Sequence, residues 1–99
     1  MQMVKNWADV TGVVMAVRAS ATNEGFRAVD LRVESVRPVE SFPNLLSGLD
    51  GRTIAVQVPD DIAGRLRLKP GDTLRARIRQ GGPERYFVHP QQIESEELP

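Results

Sequence analysis

The chain contains no cysteine, so disulfides, thiolate metal sites and cysteine nucleophiles are excluded. It has a single histidine, His89, and no acidic cluster with calcium-loop spacing, so no zinc or calcium site is expected and no cofactor is implied. A lone histidine without a nucleophile or orienting acid beside it makes no acid–base centre, and its place before Pro90 favours a structural role. No enzyme activity is expected. Aromatics are scarce: Trp7, Phe26, Phe42, Tyr86 and Phe87 are the whole set. The longest unbroken apolar run, Val13 to Val17, is far short of the ~20 residues of a membrane span. Asp9 falls where a signal peptide would stay apolar, so the expectation is a soluble cytoplasmic protein. An excess of one charge is also missing. The 13 basic and 13 acidic residues sum to a formal +0, against a protein that is basic all over.

What is present suits one compact domain. Ninety-nine residues, 40% of them apolar and 26% charged, can build a core without staples. The expected domain is 1–99, with a core from about 9 to 93 and a frayed charged tail over 94–99. Residues 1–7 read as a lead-in from which Trp7 can dock. The β-branched segment 9–18 reads as a strand with a bulge or close backbone approach at Gly12. After a turn over 20–25, residues 26–36 alternate, with Val29, Leu31 and Val33 inward and Asp30, Arg32 and Glu34 outward. Val36 breaks that parity and predicts a bend or bulge near Ser35. Residues 38–51 read as a loop whose Phe42, Leu45, Leu46 and Leu49 tuck against the core.

A third strand is expected over 52–58, then a short helix from Asp60, its N-cap, to about Leu66. In Leu68-Lys69-Pro70-Gly71-Asp72, Pro70 presets φ for the second residue of a turn and Gly71 supplies positive φ at the third. Thr73 to Arg79 is a strand with Leu74, Ala76 and Ile78 inward and Arg75, Arg77 and Arg79 outward. Residues 80–84 turn, 85–89 form a last short strand, and 90–93 close the body.

Five strands with one short helix between the third and fourth is the plan of the OB-fold, a five-stranded Greek-key barrel in the all-β class. The chain also resembles the single-strand-binding family, its small primosomal branch in particular. The segments that carry the resemblance are VTGVVMAVR, GRTIAVQV, LKPGDTLRARIR and FVHPQQIE, spread over residues 10 to 94. The resemblance implies non-catalytic binding of single-stranded DNA or RNA. About 12 residues around LKPGD also resemble TOBE-type domains and swapped-hairpin transcription factors, and the TOBE-type resemblance alone implies a small anion as ligand.

The charge is unevenly placed. Between 65 and 85 lie Arg65, Arg67, Lys69, Arg75, Arg77, Arg79 and Arg85, against only Asp72 and Glu84. Eleven of the 13 basic residues are arginine, suited to bidentate phosphate contacts and to stacking on bases. Alternate strand residues recur every ~6.8 Å, close to successive phosphates on an extended single strand. The expected nucleic-acid contacts are therefore Arg27, Arg32, Lys69, Arg75, Arg77, Arg79 and Arg85, with Tyr86 displayed for stacking and Phe87 turned inward. The outward face of strands two and three holds Asp30, Arg32, Glu34, Thr53 and Gln57 and no aromatic, a departure from the single-strand-binding pattern. The same charges also fit an ordinary solvated face. The alternative function is a protein-interaction module or homodimeric subunit that uses edge strands of the barrel.

Overall fold

In the computed structural model, residues 6–21, 24–39, 46, 48–81 and 85–96 are described. Five strands and one helix follow in order: β1 (Ala8–Ala19), β2 (Phe26–Pro38), β3 (Thr53–Pro59), α1 (Asp60–Leu66), β4 (Thr73–Gln80) and β5 (Tyr86–Glu96). The strands close on themselves in the order β1-β2-β3-β5-β4. Pairing is antiparallel except for β3 with β5, which run parallel through Val56–Tyr86 and Gln57–Phe87. Alternation drives this closure: Val29, Leu31, Val33, Val56, Val58, Leu74 and Ile78 all turn into one core, with Ile62 and Ala63 of α1 against it.

Two expected irregularities of the long strands are present and take a specific form. Thr11 faces Ser35 but Gly12 faces Val33, so Glu34 is the extra residue of a bulge on β2. Gly12 is also a point of close approach, since a Cβ there would lie 2.5 Å from the Arg32 carbonyl oxygen. The second bulge of this pair lies on β1, at Met15. Both increase local twist, which a small closed sheet needs.

Three expectations need correction. Asp60 is not the N-cap: Pro59 holds that position with no side-chain cap bond, and the Asp60 carboxylate pairs with Arg27 at 3.5 Å instead. The helix does end at Leu66, as expected, and Arg67 caps it in the left-handed conformation (φ 52°), donating its N–H back to the Gly64 carbonyl oxygen. The last strand is long rather than short, because Ile93, Glu94, Ser95 and Glu96 pair with Ala76 back to Thr73, so residues 94–96 are not frayed. The turn before β4 is as expected: Gly71 has φ 95° and the Asp72 N–H reaches the Lys69 carbonyl at 3.2 Å. Leu46 is buried and Leu49 packs beside it, while Phe42 and Leu45 lie outside the described residues. Among the described residues no helix is long and apolar enough to cross a membrane.

Candidate nucleic-acid interface

The arginines of β4 do point outward, but they do not form a free positive stripe. The Arg77 Nε donates to Asp9 Oδ1 at 3.0 Å across the β1–β4 ladder, and Arg75 pairs with Glu96 at 3.5 Å across the β4–β5 ladder. Arg27 meets Asp60 at 3.5 Å, and the Lys69 ammonium lies 3.9 Å from the buried Asp72 carboxylate. Arg18, which had no assigned part, donates to Asp30 at 2.9 Å; that hydrogen bond, and then the carboxylate's charge, raises the guanidinium above its usual range. In a closed sheet each strand meets partners distant in sequence, and here these bring the acids. Of the expected contact residues, Arg32, Arg79 and Arg85 have no carboxylate partner among the described residues.

Tyr86 is also placed differently from expectation: it is 7% exposed, while Phe87 is half-buried at the surface. The cause is register. Val88 faces Ile78 in the core, and Tyr86, two residues earlier on the same strand, must share its face. Phe87 therefore turns outward opposite Arg79, whose guanidinium sits 5.2 Å from the ring centroid. That is within cation–π range.

A second aromatic joins this pair. The Asn6 side chain is buried and clasps the Gln80 backbone from both sides, accepting from its N–H at 2.8 Å and donating to its carbonyl at 2.9 Å. Ala8 pairs with Ile78, so this clasp continues the β1–β4 register and sets Trp7 beside Arg79. The Trp7 ring lies 5.1 Å from that of His89, tilted by 56°. Trp7, His89, Phe87 and Arg79 thus share one end of the outer face, with Arg85 exposed at its margin.

His89 reaches Trp7 because β5 leaves its ladder there. Between the Ile78–Val88 and Ala76–Ile93 pairs, β4 spends one residue, Arg77, while β5 spends four, His89 to Gln92. Pro90 suits this wide bulge because it has no N–H to donate. The Gln91 N–H turns back to donate to His89 Nδ1 at 3.1 Å.

The same bulge raises a wall beside the sheet. Between it and the β2 bulge lies an open cleft of about 700 Å³. Its floor is Asp9 and Thr11 of β1 with Arg75 and Arg77 of β4; one wall carries Ser35 and Arg37, the other Gln91, Gln92 and Glu94. The cleft adjoins the aromatic end along β4, through Arg77 and Arg79.

Reading by residue type passed over Trp7, His89, Asn6 and Arg37 as members of an interface. For Phe87 a signal existed, since Tyr86 and Val88 share a parity and leave Phe87 and His89 on the other face. For Asn6 there was none, because a polar residue in a lead-in has no periodicity to read. No group of three or more ligating side chains placed to hold a metal ion occurs among the described residues. No protein-family model matches the sequence, and no curated protein matches it.

Proposed function

We propose that this chain is an OB-type barrel that binds single-stranded nucleic acid without catalysis, at its aromatic end rather than along an arginine stripe. The strand order β1-β2-β3-β5-β4, the parallel β3–β5 contact and the helix between β3 and β4 support the architecture. The observation that carries the binding reading is the Arg79 guanidinium over an outward-facing Phe87, with Trp7 and His89 alongside. Aromatic rings and a guanidinium plane offer stacking surfaces that any base can use, and among the described residues Arg79 has no carboxylate partner to compete with phosphate.

The test is anisotropy of a labelled oligonucleotide at about 50 mM salt, where counterion release most favours binding. Wild-type protein binds, and Phe87→Ala weakens binding by roughly 1–3 kcal/mol, the usual worth of one stacked base. Arg79→Ala weakens it comparably, while neither change moves the melting transition by more than a few degrees. Absence of binding by the wild type overturns the proposal.

A homodimer is the second reading, favoured by Met15. It is 49% exposed, and it lies on the part of β1 beyond Val14 that pairs only with β2 among the described residues. Sedimentation that shows a monomer at all concentrations removes this reading.

A further inference from the structure

We infer that the cleft beside the aromatic end holds the ribose–phosphate chain of RNA in preference to DNA, with Arg37 as a phosphate contact and Glu94 as an acceptor for a ribose 2′-hydroxyl. This rests on the nucleic-acid reading of the adjoining patch and names its substrate class. Arg77 and Asp9 on the floor satisfy each other, and Arg75 is held by Glu96. Arg37 on one wall and Glu94 on the other have no partner among the described residues.

A free guanidinium calls for an anion, and phosphate fits its planar fork. A free carboxylate does the opposite. It only accepts hydrogen bonds, and it repels phosphate, so a ligand that lies against it must bring donors. The backbone of DNA has none, because deoxyribose carries no 2′-hydroxyl. The backbone of RNA places one donor on every sugar, next to each phosphate, and that group is how proteins tell the two apart. The hydroxyls of Thr11 and Ser35, between the two walls, can either donate or accept along such a chain. The cleft continues from the stacking surface along β4, so one strand can lay bases on Phe87 and Trp7 and its backbone over Arg37 and Glu94.

The experiment compares RNA and DNA oligonucleotides of identical sequence by anisotropy, with wild-type protein, Arg37→Ala and Glu94→Ala. Wild-type protein should bind the RNA roughly threefold to tenfold more tightly, as expected of one net hydrogen bond at a solvent-exposed rim. Arg37→Ala should weaken both ligands alike. Glu94→Ala, which removes the acceptor altogether, should bring the RNA-to-DNA ratio close to one, with DNA affinity unchanged or slightly higher because a repulsive charge is gone. Both side chains are exposed, so thermal melts of the variants should match the wild type. If neither oligonucleotide binds, the nucleic-acid reading itself falls. If both bind equally, or the ratio survives Glu94→Ala, only the assignment of the cleft is overturned and it is left to another occupant, such as a mixed-charge peptide.

Discussion

Individual side chains and their absences decide where this sheet can close. Gly12 is a glycine because β2 crosses it at contact distance. A methyl group there would meet the Arg32 carbonyl oxygen at 2.5 Å and the Leu31 side chain at 2.9 Å. Neither the backbone oxygen nor the packed leucine can give way cheaply, so Gly12→Ala should cost roughly 1–3 kcal/mol in chemical denaturation. Asn6 is the polar counterpart. Asn6→Ala removes two hydrogen bonds and leaves the Gln80 N–H and carbonyl unpaired near the core, at a cost of about 1–3 kcal/mol. Because the same clasp sets Trp7 beside Arg79, the variant should also shift tryptophan emission toward that of exposed indole. An unchanged spectrum would show that Trp7 is held by something other than Asn6.

At the scale of elements, α1 is the weakest by its own propensity and β5 the least regular. The helix has seven residues, a glycine inside and no side-chain cap, so packing of Ile62 and Ala63 must hold it. Gly64 is exposed, has no positive φ, and a Cβ added there meets nothing within 4 Å. Gly64→Ala should therefore stabilise the protein by roughly 0.5–1 kcal/mol, read as a rise in the denaturation midpoint at constant slope. The bulge in β5 shows where pattern reading stops. Ending the strand at His89 followed from Pro90, whose missing N–H breaks a ladder. The ladder in fact resumes at Ile93 because three extra residues loop out, and that loop brings His89 onto Trp7 and raises the cleft wall. A proline in sequence reports that pairing is interrupted there, but not whether it resumes.

For the whole molecule, neutrality governs the behaviour expected with a polyanion. Five ion pairs among the described residues tie up Arg18, Arg27, Lys69, Arg75 and Arg77, so near the aromatic end and the cleft the proposed phosphate contacts reduce to Arg37, Arg79 and Arg85. Three contacts on a single strand predict a log–log salt slope of about −2. A slope near −5 would mean that the paired arginines open to bind phosphate after all, and would restore the stripe that the folded charges argue against.

The alternation of Phe26 to Val33, Ile54 to Val58 and Leu74 to Ile78 determined by itself which side chains enter the core, because each strand buries one face and the period of two is local. Gly12, the parity break at Val36 and the Pro70–Gly71 turn were legible for the same reason: backbone restrictions act within a few residues. Which charges remain free, and which of Tyr86 and Phe87 meets solvent, was decided only by closure of the sheet. Asp9 and Arg77 are separated by most of the chain yet face each other across a ladder, and the face of Phe87 follows from its register with β4. Charge pairing and strand register are relations between distant segments, so only the folded arrangement specifies them.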